Sequence, residues 1–147
     1  MTFKFSTGLR NGMMGATGFK ALMDSSRIRI YAGTEPATAD AALGGATLLN
    51  ELTVSGGETN LTFGTPVAAT IAKSSGESWS GTPVATGVAT FFRLVKTSDS
   101  GGASTTDLRI QGTVGTLGAD MNVSNATMTS GVAFPPLNYF SVNLPTG

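Results

Sequence analysis

The chain predicts an all-β domain: an antiparallel β-sandwich, jelly-roll-like, with an N-terminal extended arm and short helix. Three observations predict it. From Arg27 onward apolar residues recur with period two, the periodicity of strands that bury one face. Clusters of Gly, Pro, Ser and Asn interrupt these runs about every 8–12 residues, the spacing of hairpin-connected strands. No alternation of strands with helical runs of about 10–15 residues follows, so a parallel sheet built from βαβ units is not indicated.

Residues 1–26 form the arm and residues 27–147 the sandwich. In the arm, Phe3 and Phe5 alternate with Thr2, Lys4 and Ser6, an extended pattern. Leu9, Met13, Met14, Phe19, Leu22 and Met23 then fall at near-helical spacing, with Gly8, Gly12, Gly15 and Gly18 among them. Each glycine weakens a helix by about 1 kcal/mol relative to Ala, so the spacing predicts a loose helix around 13–23. Ile28 and Ile30 open the first strand of the body, which Gly33-Thr34-Glu35-Pro36 breaks. Ala37 to Leu43 reads as one helical turn.

Leu48, Leu52 and Val54 share a face of the next strand, and Ser55-Gly56-Gly57-Glu58 is a turn. Leu61 and Phe63 resume, and Thr70 to Lys73 follows Pro66. Val84 to Lys96 is the longest apolar stretch, read as buried on both faces. Leu108, Ile110 and Val114 alternate with Asp107, Arg109, Gln111 and Thr113, a half-exposed strand. Shorter strands follow at Met121–Val123 and at Ala126–Phe134. After Pro135-Pro136, Phe140, Val142 and Leu144 make the last one.

The composition narrows the chemistry. The 147 residues include no cysteine and no histidine, so no thiol nucleophile, disulfide or imidazole is present. Apolar residues make up 40% and charged ones 12%, about half the usual charged share. A surface built from hydroxyls and glycine loses less on desolvation than one built from ions, which suits contact with other subunits.

Net charge is zero, and the scattered cations lack stacking aromatics, so nucleic acid is not an expected partner. Lys4, Arg10, Lys20, Arg27 and Arg29 stand against Asp24 alone in residues 1–30, a local excess of +4 balanced by −4 beyond. That excess suits an acidic protein surface. No stretch approaches the ~20 apolar residues of a membrane span, so no membrane partner is expected.

Catalytic patterns are missing. A serine hydrolase needs a base beside its serine, and no Ser–Lys spacing supplies one. Gly112 to Gly118 lacks the Gly-Lys-Ser/Thr of a phosphate loop. Asp99 and Asp107 bracket a Ser/Gly loop without a calcium-loop pattern and read as solvated acids. No enzyme, cofactor or metal is expected. Trp79, in Glu77-Ser78-Trp79-Ser80-Gly81-Thr82, reads either as a cap on the core or as an exposed ring for a partner or a sugar.

Leu9-Arg10-Asn11 through Gly18-Phe19, Arg27-Ile28-Arg29-Ile30-Tyr31-Ala32-Gly33-Thr34-Glu35-Pro36-Ala37-Thr38-Ala39-Asp40, and Glu77 to Thr82 together resemble small virion structural proteins of tailed bacteriophages. Phe91-Phe92-Arg93 and Thr113-Val114-Gly115-Thr116 extend the resemblance over most of the chain. It implies a capsid decoration (cement) protein assembled into the virion in the host cytoplasm, a homotrimer bridging subunits of the major capsid protein. A tail, connector or fibre-attachment component is the alternative in the same class, and a carbohydrate-binding sandwich using Trp79 lies in another. Expected partner-binding residues are Phe3, Phe5, Leu9, Arg10, Met13, Met14, Lys20 and Trp79.

Overall fold

Ser6 fixes how the chain enters the fold. Its Oγ accepts the Leu9 N–H at 3.1 Å and the Arg109 N–H at 3.0 Å, and donates to the Asp107 carbonyl at 2.7 Å. One buried hydroxyl thus caps a helix and fastens it to a strand more than a hundred positions away. The computed structural model describes residues 3–145; Thr2, read with the arm, lies outside them. Strand β1 (Lys4–Phe5) precedes Ser6, and helices α1 (Thr7–Met14) and α2 (Phe19–Met23) follow.

The single helix expected over 13–23 is therefore two. Gly15 closes the first by donating its N–H to the Asn11 and Gly12 carbonyls, and the stretch to Gly18 offers little helix propensity. At Gly8 a Cβ would lie 2.3 Å from the Thr106 carbonyl oxygen. Only glycine lets α1 pack so closely on that loop. Residues 3–26 are not a detached arm: Leu9 and Met23 belong to the same core as Ile28, Leu94 and Phe140.

The remaining strands are β2 (Ser26–Ala32), β3 (Thr47–Val54), β4 (Thr70–Ala72), β5 (Trp79–Ser80), β6 (Gly87–Val88), β7 (Phe91–Lys96), β8 (Arg109–Gly115), β9 (Met121–Asn122), β10 (Thr127–Met128) and β11 (Ser141–Asn143). One seven-stranded sheet runs β1-β8-β7-β2-β3-β5, with β9 also on β8. Two-stranded sheets β6/β10 and β4/β11 complete a sandwich-like all-β fold in which, among the described residues, only β9 pairs in parallel. The strands are distributed unevenly, one long sheet against short ones.

Between the layers lies an aromatic cluster. Trp79 is fully buried, its ring edge-on to Phe63 with centroids 5.5 Å apart, and 5.8 Å from Phe140. Phe92 meets Phe140 at 5.6 Å. Ile28, Ile30, Leu52, Leu94 and Ile110 fill this face of the main sheet. Leu48 does not share it. A bulge in β3 pairs Ile30 with Asn50 but Tyr31 with Leu48, so Leu49 is the extra residue and the parity of everything before it flips.

The opposite face departs further from the sequence reading. Arg109 and Gln111, expected on a half-exposed strand, are fully buried. Residues 33–46, where one helical turn was expected, instead form an irregular strap across them. Its carbonyls accept from the two guanidinium groups and the amide beneath: Ala41 from Arg93 at 2.7 Å, Ala39 from Arg109 at 3.2 Å and Pro36 from Gln111 at 2.7 Å. Asp99 is no solvated acid but a buried partner of Arg109, at 2.5 and 3.0 Å. Glu51 bridges Arg27 and Arg29 at 2.8 and 2.7 Å. Burial alone would raise its carboxyl pKa, but hydrogen bonds from and charges on Arg29 and Arg27 outweigh that and hold it below the ordinary range.

Candidate attachment groove

The N-terminal segment and the C-terminal strand meet at a groove of about 940 Å³. Phe3, Phe5, Arg10 and Met13 line it from one side, and residues 138–141 and 143–145 from the other; Asp120 and Asn122 complete the wall. The aromatic cluster positions the Phe3 and Phe140 rings. Phe3 stands edge-on to Phe92 at 6.1 Å and 5.8 Å from Phe140, while Phe5 opposes Ile110 across β1 and β8. These rings are held by packing, so the apolar lining is preformed.

Arg10 is the groove's cation. Its Nη2 donates to the Thr7 hydroxyl at 2.9 Å, and no carboxylate lies within ion-pair reach of it among the described residues. Thr7 is itself engaged, giving its N–H and hydroxyl to Asp40 at 2.8 and 2.6 Å. That hydroxyl bond chiefly holds the Asp40 carboxyl below its ordinary pKa. Asp120 spends Oδ2 on the Thr113 N–H and hydroxyl, and its buried Oδ1 has no partner among the described residues.

The groove's rim is apolar and exposed. Tyr139 is 68% exposed and Leu144 47%. Leu144 donates its N–H to Ala69 O at 3.0 Å. Ala68 and Ala69 form a two-residue turn with φ of +49° and +59°, a conformation that Asn-Gly would occupy more easily.

Of the eight residues singled out in the sequence, Phe3, Phe5, Arg10 and Met13 come together here. The other four do not. Leu9 is the wholly buried residue of α1 and belongs to the core. Lys20 is committed within the chain, to Asp24 at 2.6 Å and the Phe63 carbonyl. Met14 is 89% exposed but stands outside the lining. Trp79 is core, its Nε1 donating to Glu77 at 2.7 Å, so neither sugar nor partner reaches its ring. Arg27, whose charge added to the N-terminal excess, is paired with Glu51 and Glu58.

The C-terminal lining, from Asn138 to Pro145, escaped the sequence reading. Period two showed a last strand, but nothing local says which strand stands beside it.

Among the described residues no three acidic side chains converge to hold a metal ion, and no helix is long and apolar enough to cross a membrane. No family model, curated protein or solved structure matches this chain.

Proposed function

We propose that this chain is a virion structural protein of a tailed bacteriophage, a capsid decoration subunit that attaches to neighbouring head subunits through the groove. One observation carries the attachment reading: a preformed apolar groove whose guanidinium has no carboxylate partner among the described residues, flanked by exposed Tyr139 and Leu144. Such a surface gives a partner both a desolvated aromatic anchor and a charge to match. The resemblance of the Leu9–Phe19, Arg27–Asp40 and Glu77–Thr82 stretches to small virion proteins supplies the particle, and the low charge of the chain supports a life in contact with other subunits.

The test is incorporation into particles. Arg10→Glu should leave folding unchanged, because the side chain is exposed, and should sharply reduce the amount of protein on purified heads. Imaging of the particles should place many copies over the head surface. Finding the protein in a few copies at the tail would move it to the connector reading, and its absence from every particle would end the proposal. Sedimentation of the released protein reads the trimeric state that the resemblance implies.

A further inference from the structure

Two strand edges face the groove with hydrogen-bonding groups that have no partner among the described residues. On β1, Ser6 donates its N–H to the Arg109 carbonyl at 3.0 Å, and Lys4 opposes Gln111. The alternation of an antiparallel pair therefore turns the main-chain groups of Lys4 and Ser6 toward β8, and those of Phe3 and Phe5 away from it. On β11, the Phe140 carbonyl accepts from the Lys73 N–H at 2.9 Å, and Leu144 donates to Ala69. The same alternation gives Val142 to β4 and turns Ser141 and Asn143 away. All four outward-turned residues, Phe3, Phe5, Ser141 and Asn143, line the groove. On its far side β4 is already occupied, its Ala72 carbonyl taking the Gly64 N–H at 2.9 Å. The groove is thus a seam where one layer of the sandwich stops and the other has not begun.

We propose that this seam is a strand-docking site: an extended acidic segment of another protein subunit lies along the β1 and β11 edges and sets an Asp or Glu side chain against Arg10. The inference rests on the attachment reading and names the chemistry of the partner. Directional main-chain groups on both walls select an extended polypeptide over a helix, which has no free N–H or C=O along its length. Ring-lined floor positions at Phe3, Phe5 and Phe140 take alternate side chains of such a strand. Charge complementarity selects an acidic residue, since Arg10 is the groove's cation and has no carboxylate partner among the described residues.

A second copy of this chain fits less well. Groove-to-groove pairing about a two-fold axis brings Arg10 toward Arg10, and Asp120 cannot separate them, with one oxygen on Thr113 and the other buried.

A random peptide library selected on the immobilised protein tests this. Enriched peptides should share one acidic residue within an alternating apolar pattern. Methylating their backbone nitrogens at alternate positions should abolish binding, and Arg10→Glu should weaken it about tenfold or more, as expected for a charge-assisted hydrogen bond. Ser141→Pro and Asn143→Pro remove only groove-facing N–H groups, so each should weaken binding while the melting temperature holds. Arg10→Ala covers the case in which a proline variant fails to fold.

No enrichment, enriched peptides without the acid, or binding indifferent to backbone methylation would overturn strand docking. So would self-association in sedimentation that Ser141→Pro abolishes. Failure here with particle incorporation still sensitive to Arg10→Glu removes the strand and keeps the attachment. Particles lacking the protein, with peptides still bound, do the reverse.

Discussion

On one face of the main sheet, Ile28, Ile30, Phe92, Leu94 and Ile110 meet Trp79, Phe63 and Phe140 in an apolar layer that only the buried Ser26 and Asn50 interrupt among the described residues. On the other, Arg93, Arg109, Gln111 and Asp99 are just as dry beneath the 33–46 strap. The first face is held by area removed from water and by close packing, about 25 cal/mol per Å². The second is held by satisfaction of charged groups, where the gain is set against desolvation and the penalty falls on whichever partner is left alone. Even there satisfaction is incomplete. Arg93 gives Nε to Gln111 and Nη2 to Ala41, while Nη1 has no partner among the described residues. Burial first, and then the Arg109 charge, pull its guanidinium below the ordinary pKa. Dryness alone therefore does not tell how a face is stabilised.

The contrast breaks most sharply at Trp79. Trp79→Ala opens a cavity in the aromatic cluster and takes the indole donor from Glu77, so unfolding free energy should fall by about 4–5 kcal/mol, read from urea denaturation. Replacing Glu77 as well should recover little, because the lost term is packing.

Across the sheet the pattern should invert. Arg109→Met or Asp99→Leu alone should each cost about 3–4 kcal/mol by stranding a buried charge. The double variant should cost clearly less than the sum, with a coupling of about 2 kcal/mol in the cycle. Simple additivity would show that the pair is bystander to the strap's packing. The Ala39 and Gly102 carbonyls, which also accept from Arg109, keep the recovery partial.

The smallest effect is acid sensitivity, and it belongs to the charged face. Glu51 and Asp40 both have carboxyl pKa values below the ordinary range in the folded chain. Their stabilisation is complete above the unfolded carboxylate pKa of about 4 and is lost as pH falls through the folded values. Melting temperature should therefore be flat from neutral pH downward and drop once the solution is more acidic than about pH 4. Glu51→Gln should lower the plateau and flatten the drop. An unchanged acid limb in that variant would show that the Arg27–Glu51–Arg29 bridge contributes nothing.

Much of the fold was legible in residues taken locally. Period two marked β2 and β8; of the Val84–Lys96 stretch read as buried on both faces, Phe91–Val95 is buried so, while Val84 and Val88 stand exposed. The failures share one cause. Arg109 and Gln111 alternate with Leu108, Ile110 and Val114 as an outward face should, and the strap that covers them is a Gly- and Ala-rich stretch with no periodicity of its own. Leu48 lost its partners to a bulge that composition does not announce. Half of the groove was visible as an N-terminal segment with aromatic, thioether and cationic side chains. Leu9 and Lys20 misled because burial and an internal ion pair are properties of neighbours far away in sequence.

By itself the amino-acid order settled that this is a strand-built protein without imidazole or thiol, since side-chain chemistry and two-residue periodicity are local properties. Which polar strand face is sealed, which of five N-terminal cations has no carboxylate partner among the described residues, and that the first and last strands flank one groove were decided only by the tertiary structure. Those facts depend on contacts between segments whose separation along the chain carries no periodic signal.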